Sequence, residues 1–600
     1  MITPEAEIAG KLFDGHLTRR LMKYAHAYWP MLTLAIFLIL LMAIVSSYLP
    51  VLSSTAIDEY LIAENASLSA DQRITGITRV GLIYLGLSAL AFGLRYLQSY
   101  LMAWVGERII FKMRADIFAK IMRLPLRYMD RNPVGRLMTR VTSDVDAMQK
   151  MVTDGLVGLV ADLFTLLAIM GFMLYLSPRL ALTLFATFPV LLGVMGWINH
   201  NTRRAHRRVR YRQSALNAYL QEMITGMFTI HMFNREPSVV REFDSRNREL
   251  RGSWFETVRW ISFLFPSMEV LNALSVALVL TVGGAAILGG SGTVTIGVLV
   301  AFMAYIRNFF RPLEDLSEKS TVFQSAMASA ERIFALMDIP EEVLDPAQPV
   351  SIEQFRGEVS FENVSFAYTD EEWVLKDLSF HIAPGQSIAI VGATGAGKTS
   401  LISLINRFYD VQRGCVRVDG RDVREYRQVD LRRRIGVVIQ DPFIFSGSIA
   451  SNISMHNPEL SREDVVQACR YVNAHRFIEK LPEGYDTHVQ ERGITLSTGQ
   501  KQLLALARAL VQNPDILLIL DEATANVDTE SEQLIQEALT RVMKGRTSIL
   551  IAHRLSTIRG VDRIMVMRHG RKIEEGSHSE LISHEGYYRR LYELIAHQPS

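Results

Sequence analysis

The sequence predicts two unlike halves in one chain: an all-α membrane half of six spans, then an α/β half built around a phosphate-binding loop. Three observations predict this. Residues 1–335 carry repeated apolar runs long enough to cross a bilayer. The stretch Gly392-Ala-Thr394-Gly395-Ala396-Gly397-Lys398-Thr399 follows an apolar strand and opens a helix. Hydrophobic content of 49% and a mean hydropathy of +0.15 are high for a chain without membrane spans, and 600 residues suffice for several domains.

Residues 1–15 carry Glu5, Glu7 and Asp14 and no apolar core, so a cleaved signal peptide is not expected. His16-Leu-Thr-Arg-Arg-Leu-Met-Lys-Tyr24 mixes basic and aromatic residues, as an interfacial helix on the cytoplasmic face would. Residues 31–57 contain no charged side chain and form the first expected span. Further spans are expected near 76–105, 155–177, 180–199, 262–289 and 294–313. Little more than Ser177-Pro-Arg separates the third from the fourth, and Gly289-Gly-Ser-Gly-Thr separates the fifth from the sixth. Both connections are expected as tight outer turns.

The other connections set the orientation. Residues 107–154 hold ten Lys/Arg against six acids, and residues 203–259 hold twelve Arg against six acids. Residues 58–76 hold four acids and one Arg. The basic bias places both long segments in the cytoplasm, and the α/β half with them. A multi-pass protein of the cell's inner (plasma) membrane is therefore expected. The long segments are too helical in pattern to be loose loops and are expected to prolong the membrane helices. Their basic charge could also meet anionic lipid headgroups.

Four ionisable residues interrupt the apolar runs: Arg95, Asp162, Glu269 and Arg307. Charge at membrane depth is costly and faces a cavity or a partner charge. Arg95 and Glu269 are therefore candidates for a substrate cavity, with a buried ion pair or snorkelling as the alternative. Arg307 lies near a span end, where snorkelling suffices. The 25 Met residues suit either an adaptable apolar cavity or ordinary packing.

In the α/β half, the loop matches G-x-x-x-x-G-K-[ST]. Ser387-Ile-Ala-Ile-Val391 precedes it as a buried strand, and Ser400-Leu-Ile-Ser-Leu-Ile-Asn follows as a helix. Glycines let backbone N–H groups close on phosphate oxygens, and the helix N-terminus adds positive field. Lys398 is placed to reach the β- and γ-phosphates and Thr399 to ligate Mg²⁺. Downstream, Pro514-Asp-Ile-Leu-Leu-Ile-Leu520 is an apolar strand ending in Asp521-Glu522. It places the first acid near Mg²⁺ and the second where it can polarise an attacking water. The half is thus expected to be a P-loop NTPase that binds a nucleoside triphosphate with Mg²⁺. A net charge of +2 gives no case for nucleic-acid binding. Cys415 and Cys469 have no metal-type spacing and are expected as reduced thiols.

Between the loop and the acidic strand lie Gln440 and Leu496-Ser497-Thr498-Gly499-Gln500, and after them Ile551-Ala-His553-Arg. With these, residues 357–600 resemble the nucleotide-binding domain of an ABC transporter. Residues 1–335 resemble the six-helix membrane domain of an ABC exporter, joined by a linker at 336–356. The resemblance covers the whole chain. It implies that Tyr368, in Val364-Ser-Phe-Ala-Tyr368, stacks on adenine, and that the loop through Ser400 binds ATP. It implies that Gln440 touches Mg²⁺ or the attacking water, that His553 lies near the γ-phosphate, and that Glu522 carries catalysis. Ser497, Thr498, Gly499 and Gln500 would serve the ATP of a partner chain. Leu124-Pro-Leu-Arg-Tyr-Met-Asp-Arg-Asn-Pro-Val-Gly135 and its continuation to Asp144 resemble the first coupling region, and the segment 222–236 the second. Each would seat a short helix in a groove of a nucleotide-binding domain.

One ATP module and six spans make half a transporter, so a second half is required. Three positions depart from the family pattern. Thr498 stands where the signature usually has Gly. Ala525-Asn526-Val527-Asp528 stands where Ser-Ala-Leu-Asp is usual. Gln490, in His488-Val-Gln490-Glu-Arg-Gly, stands where Gly is common. All three serve the dimer face, whereas the chain's own ATP-site residues match the family. A heterodimer is therefore favoured over a homodimer. The resemblance implies ATP-driven export of amphipathic small molecules by alternating access, with lipid flipping as the alternative. A gated channel or membrane sensor is the rival of another class. Importers generally split membrane and ATPase parts between chains, soluble ATPases lack spans, and no peptidase precedes the first span.

Overall fold

The computed structural model describes residues 15–62, 69–289, 294–351, 355–369, 372–521, 529–552 and 558–596. The chain divides into two compact units, residues 1–122 with 134–339, and residues 123–133 with 340–600. By packing, the short segment 123–133 therefore goes with the ATPase half.

The first unit is helical throughout. A helix over Gly15–His26 carries the expected interfacial segment and buries Leu21 and Ala25. Arg20 donates to both carboxylate oxygens of Asp338 (2.5 and 2.8 Å) and lies over the Phe334 ring. The long helices are Trp29–Ala56, Ala70–Arg123, Val157–Leu176, Phe188–Thr225, Glu236–Leu288 and Ile296–Met337. Five helical stretches among the described residues are long and apolar enough to cross a membrane, and Ile296–Phe310 is a shorter apolar helix. At 1.5 Å per residue, a 54-residue helix is about 80 Å long, far more than a ~30 Å hydrocarbon core. The prolonged helices are thus present as expected.

The fourth expected span, 180–199, is divided. Pro178–Phe185 ends at Ala186 and a new helix begins at Phe188. Pro189 explains the break, because it has no N–H to give to the Phe185 carbonyl one turn earlier. The Thr187 hydroxyl donates to the Leu184 carbonyl (2.7 Å) and covers part of the gap. The core of this unit packs Met173, Leu180 and Leu184 against Phe302, Tyr305 and Ile306. Two polar ties join Trp29–Ala56, with the turn Ile57–Leu61 that continues it, to Ile296–Met337 and its cap Thr295. The buried Tyr305 hydroxyl donates to the Ser47 carbonyl (2.6 Å). The Asp58 carboxylate accepts from Thr295 (2.6 Å) and from the Gly297 N–H (2.8 Å).

The second unit is α/β. Its strands are β1 (Val359–Ala367), β2 (Trp373–Ile382), β3 (Ser387–Val391), β4 (Arg413–Val418), β5 (Arg421–Asp422), β6 (Ile435–Val438), β7 (Gly447–Ser448), β8 (His488–Val489), β9 (Ile516–Asp521), β10 (Thr547–Ala552), β11 (Arg563–Arg568) and β12 (Arg571–Gly576). An antiparallel sheet has the order β2-β1-β4-β5, and the main sheet the order β12-β11-β3-β10-β9-β6. The main sheet is parallel from β11 to β6, with β12 antiparallel at its edge. Its strands are covered on both faces, which explains their unbroken apolar runs. Ile388 and Ile390 of β3 face one core with Phe361 and Leu401, while Ala389 and Val391 face another with Leu503 and Leu550.

Candidate functional site

Parallel strands share one C-terminal edge, where loops and helix N-termini gather. Ile551 of β10 pairs with Ile390 of β3 and with Leu520 of β9, and Ala552 pairs with Asp521. Val438 of β6 pairs with Ile519. The register therefore brings the ends of β3, β6, β9 and β10 to one edge. Gly392 follows β3 directly and Gln440 follows β6 by two residues.

The loop after β3 is built for close approach to an anion. Gly395 (φ +80) and Gly397 (φ +96) occupy the left-handed region. A Cβ on Gly397 would stand 2.7 Å from Leu375 Cδ2 and 3.2 Å from the Val374 carbonyl. The helix Lys398–Ile405 starts directly after Gly397. Lys398 is buried, and its Nζ donates to the Gly392 carbonyl (2.6 Å) and to the Ala393 carbonyl (3.3 Å). Thr394 and Thr399 are exposed, Ala396 is buried, and Gln440 is exposed. Ser400 is buried and shares a hydrogen bond with the Tyr368 hydroxyl (3.0 Å). Tyr368 stands edge-on to Phe366 (4.8 Å between centroids) and to Tyr409 (5.2 Å).

The signature residues lie on the helix Thr498–Leu510. Ser497 caps it: its Oγ accepts from the Gln500 N–H (3.2 Å), while Gln500 Oε1 accepts from the Ser497 N–H (3.0 Å). This reciprocal capping box satisfies two donors at the helix start. Ser497 and Thr498 are exposed and Gly499 is buried. The S-x-x-Q spacing was the available signal for the cap, which the motif reading passed over. It also passed over Arg508, whose guanidinium donates to the Asn452 carbonyl (2.8 Å) and the Phe443 carbonyl (2.9 Å). Asn452 in turn exchanges hydrogen bonds with the backbone of Phe445 (2.8 and 2.9 Å). These ties fasten the segment after Gln440 to the signature helix. No local pattern marks Arg508, because its partners lie more than 50 positions away.

Glu522, His553 and Ala525-Asn526-Val527-Asp528 lie outside the described residues, as does the side chain of Asp521. The departure at Gln490 is exposed, directly after β8. Cys415 and Cys469 are both free thiols. Burial pushes the Cys469 thiol up to about 12.

In the membrane unit, Asp162 forms an ion pair with Lys319, both side chains largely covered. Arg95, Glu269 and Arg307 are exposed and have no partner among the described residues. A second polar cluster centres on Asp144, which accepts from Arg140 (2.8 Å), from the Ser329 hydroxyl (2.9 Å) and from Arg332.

A phosphate-binding loop on a parallel sheet, in the same chain as helices that can span a bilayer, fits a membrane transporter driven by ATP. Its relatives supply the family. Residues 32–313 match the ABC transporter transmembrane region and residues 375–525 match the ABC transporter family. The chain is similar to the ATP-dependent lipid A-core flippase of Syntrophus aciditrophicus (strain SB), with 34% identity over 97% of this chain and 96% of that one. It is similar to the putative multidrug export ATP-binding/permease protein YgaD of Bacillus subtilis (strain 168), with 34% identity over 96% and 99%. Among solved structures it resembles a bacterial Atm1-family ABC exporter with ATP bound, at a TM-score of 0.77 and 27% identity, covering 95% of this chain and 99% of that one. The chain belongs to the ABC transporter family. It is an exporter-type half-transporter that hydrolyses ATP, a multi-pass membrane protein with its ATPase domain in the cytoplasm.

Proposed function

We propose that this chain exports amphipathic small molecules by alternating access, as one half of a dimer whose other half is a different chain. The observation that carries the reading is the gathering of the loop 392–399, Gln440 and the end of β9 at one sheet edge, with the capped signature helix exposing Ser497 and Thr498. ATP lies on the loop, with adenine on Tyr368 and phosphates against Gly392, Thr394, Gly395, Ala396, Gly397, Lys398, Thr399 and Ser400. Glu522 orients and polarises water for in-line attack on the γ-phosphorus. Lys398 and backbone N–H groups stabilise the charge that develops. Mg²⁺, which neutralises charge between the β- and γ-phosphates, would be held by Thr399, Gln440 and Asp521. The exposed Thr399 and Gln440 fit that role. His553 stands near the γ-phosphate. Ser497, Thr498, Gly499 and Gln500 act on the partner's ATP.

Thr498 supports the heterodimer. It is exposed at the first position of the signature helix, where a β-branched side chain narrows the approach of a phosphate. A partner with an intact signature would complete this chain's own site. The second coupling helix, Met227–Met232, presents exposed Phe228 and Met232, which suit docking on the partner's ATPase domain. Arg95 and Glu269, exposed on their helices, are assigned to the substrate path. The names of two relatives, a lipid A-core flippase and a putative multidrug export protein, are in keeping with an amphipathic cargo. Domain limits of 1–335, 336–356 and 357–600 complete the reading.

The test is ATP turnover by this chain purified alone, with Glu522→Gln as the blank. Turnover near the blank is expected. Robust turnover lost in the blank would establish a working homodimer and overturn the heterodimer.

A further inference from the structure

The segment 123–133 packs with the ATPase half, and three of its side chains, Arg127, Asp130 and, more weakly, Arg131 (3.4 Å to the Tyr368 carbonyl), end on the aromatic residues beside the phosphate-binding loop. Its short helix is Leu126–Arg131. Arg127 donates through Nε (3.0 Å) and Nη2 (2.7 Å) to one acceptor, the backbone carbonyl of Tyr368. The Asp130 carboxylate accepts from the Tyr409 hydroxyl (2.6 Å). Tyr409 is buried and stands edge-on to Tyr368, with Phe366 against both rings. The far end of Tyr368 is tied to Ser400, the third residue of the helix that follows the loop.

One continuous set of contacts thus runs from a charged pair on the short helix, through two tyrosines, to the phosphate-binding helix. A charge-assisted double hydrogen bond fixes the Tyr368 backbone from one side, and the Ser400 bond fixes its ring from the other. Rings in edge-to-face contact transmit displacement because packed groups have discrete arrangements. Burial, followed by the bond to Asp130, pushes the Tyr409 hydroxyl well above its ordinary pKa, so it stays a donor throughout the working range.

We propose that Arg127 and Asp130 are positioning residues for the nucleotide base: they set the Tyr368 platform, so that the short coupling helix registers base occupancy directly rather than only through the phosphates. This rests on the reading that Tyr368 stacks on adenine. By reciprocity, a helix that tightens the base site is itself tightened by a bound base.

The test uses the full chain, in the dimer it forms, in lipid nanodiscs. The variants are Asp130→Ala, Tyr409→Phe and Arg127→Met, with Asp130→Glu as the conservative variant that keeps the acceptor. The KM for ATP and kcat are measured together with the inhibition constant of inorganic triphosphate, which has no base. Each variant is expected to raise the KM for ATP roughly five- to tenfold, the value of one such hydrogen bond. The kcat and the triphosphate constant stay unchanged, Asp130→Glu shows little of the loss, and Asp130→Ala with Tyr409→Phe is no worse than either alone. A general distortion of the loop would weaken triphosphate and ATP alike and would overturn the proposal. So would an unchanged KM for ATP, and Tyr368→Ala tells the two failures apart. If Tyr368→Ala raises the KM while the other variants do not, the coupling fails alone. If Tyr368→Ala also leaves it unchanged, the base-stacking reading fails with it.

Discussion

Asp144→Asn should destabilise the membrane unit by an amount that can be worked out from its contacts. The Asp144 side chain is 7% exposed and is shared by Arg140, Arg332 and Ser329. Asparagine keeps the shape but removes the charge, and leaves two guanidinium groups facing a neutral amide. Breaking a fully buried ion pair from one side costs about 3–5 kcal/mol. Arg140 is 11% exposed, but Arg332 keeps 35% of its side chain in water, so part of the loss is recovered by solvent. The net expectation is about 2–3 kcal/mol. At about 2 °C per kcal/mol for a large unit, the unfolding midpoint should fall by about 5 °C. Intrinsic fluorescence in detergent is the assay. Five of the six tryptophans (Trp29, Trp104, Trp197, Trp254 and Trp260) lie in this unit, so the signal reports on it. Asp144→Asn with Arg332→Met should regain part of the loss, since the stranded charge is removed. A midpoint unchanged in the single variant would refute the reasoning and mean that water already serves both arginines.

The remaining predictions concern single contacts. Tyr305→Phe removes the donor to the Ser47 carbonyl in a fully covered site and should cost about 1–2 kcal/mol, read as a fall in the same midpoint. Asp162→Asn strands Lys319 and should lower the midpoint, while adding Lys319→Met should restore it; a lower midpoint in the double variant would contradict the pair. Gly397→Ala forces a side chain into φ +96 and against Leu375, so binding of a labelled ATP should weaken at least about tenfold. Both thiols are raised by burial, so the native protein at pH 8 should alkylate slowly and the unfolded chain quickly, as mass spectrometry would show.

Much of this was legible in the sequence because the informative residues are local. The loop 392–399, its strand and its helix are contiguous, so spacing alone gave their order. The spans were legible because apolar runs and basic connections need no partner to be read. Contacts across the fold were not legible. Asp162 could be flagged as costly, but Lys319 lies 157 positions away and nothing nearby names it. Asp130 and Tyr409 are 279 positions apart, and only the packing of the segment 123–133 with the ATPase half unites them. The break at Ala186–Thr187 was written in Pro189, but apolarity across the whole stretch masked it. Periodicity reads burial well and backbone interruption poorly.

The central claim is that ATP hydrolysis drives an amphipathic substrate out of the cytoplasm. The direct measurement is ATP-dependent uptake of a fluorescent amphiphile by inside-out membrane vesicles from cells that make this chain with its partner. Glu522→Gln vesicles serve as the comparison. The account predicts uptake against a gradient with ATP and none in Glu522→Gln vesicles. Equal uptake in both, or an ion current that flows without net hydrolysis, would contradict it.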